Sequence, residues 1–102
     1  MFKIGALTTI VILTLLTFCG SSTFAGEAKT VQVLKNIYTI IDGDGVDSNT
    51  TIIITKEGVI VIDTRPTPTE ARKVLAEIRK LTDLPIVYTI NTHYHGDHTF
   101  GN

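Results

Sequence analysis

All three histidines of this 102-residue chain, His93, His95 and His98, lie in one six-residue stretch. Asp97 sits among them, inside NTHYHGDHTFGN (91–102). Imidazole nitrogens and carboxylate oxygens are donors that zinc and iron accept. His93 and His95 are two residues apart, so in an extended segment both rings point to one side. Gly96 follows, and its freedom of φ is expected to let the chain turn back and bring Asp97 and His98 round to join them. One ion does not readily take all four ligands from so short a loop. Two ions do, with His93 and His95 on one and Asp97 and His98 on the other. A solvated histidine-rich loop is the plain alternative. It is the weaker reading, because the cluster is expected to follow directly on a buried strand, and strand ends are where open sheets place their chemistry.

The elements that must position this cluster are legible upstream. PIVYTIN (85–91) reads as a strand delivering the chain into it. Before it, RPTPTEARKVLAEIRKLTDLP (65–85) has helical period: Ala71, Val74, Leu75, Ile78 and Leu81 share one face. Thr67 or Thr69 can cap that helix, Pro68 suits its first turn, Arg79 and Lys80 suit its C-terminal end, and Pro85 confirms the stop. TTIIITKEGVIVIDT (50–64) predicts a hairpin turning at Lys56-Glu57-Gly58, with Gly58 at positive φ. Val59 to Ile62 are all apolar, which predicts a strand buried on both faces and ending at Asp63. TVQVLKNIYTIID (30–42) predicts two short strands about a turn at Asn36, and GDGVDSN (43–49) a loop. Asp42, Asp44 and Asp47 lack calcium-loop spacing, since Val46 stands at the fifth position and Ile53 at the twelfth. Antiparallel strands followed by strand, helix and strand make an α/β (α+β) arrangement, a mixed sheet with a flanking helix.

The composition, 43% hydrophobic and 19% charged with a formal net charge of −1, is that of one folded domain. No basic stripe is present, which argues against nucleic acid as a partner. The first residues, MFKIGALTTIVILTLLTFCGSSTFAGEAKT, follow the order of a secretory signal peptide: Lys3, an uncharged apolar run, then small residues. Cleavage is expected after Ala25, or after Ala28 with Gly26 at the −3 position. The run is shorter than the roughly 20 apolar residues of a membrane span, and Thr8, Thr9, Thr14 and Thr17 interrupt it. Phe18 before Cys19 is not the small residue that a lipoprotein signal places there. The expectation is therefore a signal peptide at 1–25 and a domain at 26–102, exported to the periplasm or secreted, touching the membrane only in transit. Cys19, the single cysteine, leaves with the signal, which excludes a disulfide scaffold and a cysteine-ligated zinc site.

THYHGDHTFGN resembles the His-x-His-x-Asp-His signature of the metallo-β-lactamase fold superfamily, and GVIVIDT is similar to that family's strand ending in an acidic residue. The resemblance runs from about Val33 to Asn102. It implies the N-terminal half of an αββα sandwich. It implies His93 and His95 as ligands of a first ion and Asp97 and His98 as ligands of a second, most commonly zinc, with iron or manganese as alternatives. Asp97 would also orient the nucleophile, and Asp63 would hydrogen-bond the metal loop. In the family a metal-bound hydroxide attacks a small-molecule substrate, here an ester, thioester, lactone or lactam type bond, and sulfatase-like and phosphodiesterase-like members widen that range. His98 disfavours lactamase subgroups that replace the last histidine of the motif. Tyr94 and Phe100 are candidates for walling the site. The family needs further ligands that this chain does not carry, so it reads as the N-terminal fragment of a longer exported hydrolase, inactive by itself. A short metal-binding module without turnover and an iron-dependent sulfur dioxygenase on the same fold are the alternatives.

Overall fold

The computed structural model describes residues 28–43 and 47–102, so the expected signal segment 1–25 lies outside the described residues. Four antiparallel strands come first: β1 (Lys29–Leu34), β2 (Ile37–Ile41), β3 (Thr50–Ile54) and β4 (Val59–Ile62). Helix α1 (Pro68–Leu81) then crosses to β5 (Ile86–Ile90), which pairs parallel to β4. The sheet order is β1-β2-β3-β4-β5, and a short helix, α2 (Gly96–Thr99), follows the last strand. Both predicted hairpins form, about Lys35-Asn36 and about Lys56-Gly58. Gly58 has φ +154°, and a Cβ there would lie 2.6 Å from the Pro85 carbonyl oxygen.

Helix α1 starts where the sequence allows it to. The Thr67 hydroxyl accepts from the Glu70 N–H, and Pro68 takes the first turn, where its missing N–H costs nothing. Of the two cap candidates the structure uses Thr67. Val74 and Ile78 are buried against one face of the sheet, with Ile40, Ile52, Val59 and Val61. Leu75 was expected on the same face but is 43% exposed. It lies beside an open apolar groove with Ala71, Ile86 and Gly101, at the margin of the helix contact. Thr30 on β1 donates to Glu77 on α1 at 2.8 Å, which ties the far strand to the helix.

The expectation that β4 is buried on both faces holds for one face only. Val59 and Val61 are buried under α1, whereas Ile60 and Ile62 are half-exposed. The register aligns Ile37, Ile53, Ile60 and Tyr88 in one row across the second face, and Thr39, Thr51, Ile62 and Ile90 in the next. On that face Tyr88 and Ile90 remain 67% and 49% exposed, and β5, expected to be a buried strand, is exposed along most of its length because it is the edge strand of the sheet. No helix among the described residues is long and apolar enough to cross a membrane.

Candidate metal centre

Parallel pairing of β4 with β5 brings Asp63 and the histidine segment to the same end of the sheet. The ladder continues past both strands, with the Asp63 N–H donating to the Ile90 carbonyl at 2.8 Å and the Thr64 N–H to the His98 carbonyl at 2.9 Å. Asp63 and Arg65 both take positive φ, 63° and 77°. For residues with a Cβ such a backbone costs on the order of 1–3 kcal/mol and persists only where the surroundings hold it.

Those surroundings are the histidine loop itself. Asp63 is 5% exposed. Its Oδ1 accepts from the Thr92 N–H at 2.8 Å, and its Oδ2 accepts from the Thr92 hydroxyl and bonds His98 Nδ1, each at 2.8 Å. Burial by itself would raise the pKa of this carboxyl. The bonds from the Thr92 N–H, His98 and the Thr92 hydroxyl outweigh burial and hold it below the ordinary carboxylate value. Asp63 is therefore an acceptor only, and the proton positions follow. The Thr92 hydroxyl spends its proton on Asp63, so the 3.0 Å contact from Thr92 Oγ to His93 Nδ1 requires the proton on the ring nitrogen. His98 Nδ1 carries a proton by the same logic. One carboxylate thus accounts for the Nδ1 proton of two imidazoles, that of His98 directly and that of His93 through Thr92, and turns Nε2 of each away from Asp63.

The remaining side of the loop gathers the donors. His98 Nε2 lies 3.2 Å from Asp97 Oδ2. Two ligands of one tetrahedral zinc, at about 2.0–2.2 Å each, stand roughly 3.3–3.6 Å apart. The His93 ring centroid is 4.0 Å from that of His98 and 4.7 Å from that of His95. Among the described residues no three His, Cys, Asp or Glu side chains gather about one point. The one close donor pair among them is His98 Nε2 and Asp97 Oδ2, whose 3.2 Å separation is near that of two ligands on one cation. His93 and His95 are exposed, while Asp97 and His98 are half-buried. Tyr94 is 85% exposed and lies beside the His95 ring, with centroids 4.7 Å apart.

Gly96 serves differently from the sequence expectation. It is the first residue of α2 with no positive φ. What it supplies is room, because a Cβ would come within 2.5–2.9 Å of the Phe100 ring. The turn is made by the short helix, whose His98 N–H donates to the His95 carbonyl at 3.0 Å.

Several supporting residues escaped the sequence reading. Asn91 donates to the His98 carbonyl at 2.8 Å and exchanges amide hydrogen bonds with Asn102. The Thr64 hydroxyl donates to Asn102 Oδ1 at 2.7 Å. The Ser48 hydroxyl donates to the Asp97 carbonyl, and the Arg65 guanidinium donates to the Ser48 carbonyl. Polar residues flanking the motif were the available signal for the asparagines. Nothing local marks Arg65 or Ser48.

A carboxylate-oriented histidine thus lies at the mouth of a parallel strand pair, beside a second carboxylate and two more imidazoles. The chain belongs to the metallo-β-lactamase superfamily, whose family model matches residues 43–102. Over 45 residues it is 49% identical to the linear primary-alkylsulfatase of Pseudomonas sp. (strain ATCC 19151), a stretch that is 44% of this chain and 8% of that protein. It is similar to the stereoselective inverting sec-alkylsulfatase Pisa1 from Pseudomonas sp., at 33% identity and TM-score 0.63, covering 72% of this chain and 12% of the other. The DIM-1 metallo-β-lactamase superposes with 26% identity and TM-score 0.61, covering 74% of this chain and 36% of that one. The chain thus spans a small part of the length of the relatives it matches.

Proposed function

We propose that this chain is the N-terminal part of an exported, metal-dependent hydrolase, and that His93, His95, Asp97 and His98 are its ligands. The observation that carries the reading is the Asp97–His98 pair: two donors 3.2 Å apart, one of them a histidine whose other nitrogen is held by Asp63 at 2.8 Å. The superfamily match and the alkylsulfatase and lactamase relatives support hydrolysis of a small molecule. The half-exposed apolar sheet face, and a match to only a small part of each relative, support a longer parent protein.

Zinc at this site, or iron or manganese in its place, would supply Lewis acidity and would lower the pKa of a bound water toward about 7. The chain's own residues do the rest. Asp63 keeps the protons of His93 and His98 on Nδ1, which leaves both Nε2 atoms as donors. Asp97, with a 44% exposed side chain, offers a carboxylate oxygen that accepts a proton from the incoming nucleophile and aims it. Tyr94 presents an aromatic surface beside His95 to an apolar part of the substrate. Residues 26–102 alone lack a complete ligand set and would not turn over substrate.

The test uses the full-length protein of the source gene, purified from the exported fraction. Metal content is measured first. Hydrolysis of an alkyl sulfate, a carboxylic ester, a thioester, a lactone and a β-lactam is then assayed. Sulfate esters come first, on the similarity to two alkylsulfatases. Turnover of any one, lost on His95→Ala and Asp97→Asn, supports the proposal. Tightly bound metal with no turnover would replace it with a binding module, and iron-dependent oxygen uptake with a dioxygenase.

A further inference from the structure

Arg65 is 2% exposed and heads the fully buried side chains by volume, yet it stands at φ 77°. A buried guanidinium is costly unless its donors are matched. One nitrogen donates to the Ser48 carbonyl, and the other lies 2.9 Å from Asp42 Oδ1 and 3.8 Å from Glu70 Oε2. Asp42 and Ser48 sit at the two ends of the segment joining β2 to β3. That segment is tied on itself as well, with the Asp47 N–H on Asp42 Oδ2 at 3.2 Å and the Asp42 N–H on Asn49 Oδ1 at 3.1 Å. Arg65 therefore grips both ends of one loop from beneath. The gripped residue reaches the metal loop, because the 6% exposed Ser48 donates its hydroxyl to the Asp97 carbonyl.

We propose that Arg65 is a positioning residue for Asp97, acting through Ser48; this rests on the reading of His93–His98 as a metal centre. Asp63 orients the imidazole half of the Asp97–His98 pair, and Arg65 with Ser48 sets the backbone from which the carboxylate half projects. The two supports are separate, reach the loop from opposite ends of one strained turn, and share no side chain. An arginine is needed because its planar fork meets a carbonyl and a carboxylate at once, which a lysine ammonium does not.

The experiment uses the full-length protein with cobalt(II) as the probe ion, titrated by its visible absorption. Ser48→Ala removes the last link and leaves the Arg65–Ser48 carbonyl bond in place. It should weaken the ion at Asp97 and His98 by about tenfold or more while the ion at His93 and His95 changes by less than about threefold. Ser48→Thr, which keeps the hydroxyl, should restore binding, and Arg65→Lys should follow Ser48→Ala. In the metal-free protein, the amides of 96–99 should exchange faster in Ser48→Ala than in Ser48→Thr. If thermal stability falls in the variants but both cobalt affinities hold, Arg65 is a structural clamp and the inference is overturned. If Arg65→Lys does not fold, the two Ser48 variants decide alone. A wild-type protein that binds no cobalt overturns the metal reading and this inference together, an outcome distinct from loss of the inference alone.

Discussion

Asp63 and His98, 35 residues apart in sequence, meet at 2.8 Å through Oδ2 and Nδ1. The carboxylate approaches at the end of one strand and the imidazole after the end of its parallel neighbour, so the contact exists only when β4 and β5 are in register. It links the folding of the sheet to the protonation pattern of the site. Asp63→Asn keeps the size of the side chain and removes the charge and one acceptor. Metal affinity of the Asp97–His98 pair should fall about 10–100-fold. Competition against a chromophoric chelator reads this directly, and an affinity within twofold of wild type would remove Asp63 from the site.

Thr92 relays the same carboxylate to His93. In metal-free protein, ¹⁵N shifts of the His93 ring should report a proton on Nδ1. Thr92→Val should give a mixture of tautomers, and Thr92→Ser should restore the single form. An unchanged ring in Thr92→Val would show that the 3.0 Å contact does not hold the proton.

Two glycines in the histidine loop should respond differently to alanine. A Cβ at Gly101 would overlap the Thr64 carbonyl oxygen and lie 2.8 Å from the Ala71 Cβ, both on packed elements. Gly101→Ala should destabilise the protein by roughly 1–3 kcal/mol, as overpacking does. A Cβ at Gly96 meets only the ring of Phe100, which is 69% exposed and can swing away. Urea denaturation of the pair should therefore rank Gly101→Ala well below Gly96→Ala, and the reverse order would contradict the packing described above.

Helix α1 carries a pH-dependent tie to β1. Glu77 is held below its ordinary carboxylate value, first by Lys80 and then by Thr30, against a smaller opposing effect of burial. Because the folded value is the lower one, its contribution is complete above the unfolded pKa of about 4.3 and fades as pH falls through the folded value. Glu77→Gln should thus be less stable than wild type at neutral pH and should match it in strong acid. The gap should be no more than about 1 kcal/mol, as for other exposed pairs. A gap that persists in acid would assign the effect to side-chain shape rather than charge.

The features legible in the sequence were those that depend on near neighbours. The Thr67 cap, the β-branched strands and the parallel return after α1 each follow from residues a few positions apart. The clustering of His93, Asp97 and His98 was legible for the same reason. Gly96 was placed at a necessary point for the wrong cause, since only the folded loop shows that Phe100 needs the space. Leu75 and Ile60 lie outside the core because a period reveals which residues share a face, not how far the opposing element extends. Arg65 was silent. Its partners, Asp42 and Ser48, are 23 and 17 residues away, and no glycine or asparagine marks its positive φ.

The slip in the β4–β5 ladder has a consequence for counting. Val59 stands opposite Ile86 and Ile60 opposite Tyr88, so Val87 is a spare residue in an otherwise regular pairing. Pro85 and Ile90 are both fastened to β4, on either side of the spare. Deleting Val87 would leave an even ladder and deliver His93 to the same place. Deleting Ile60 from β4 would change the parity of the strand and send Asp63 to the opposite side of the sheet, away from every histidine it serves. Of two adjacent strands that meet at one site, only β5 has slack in its length.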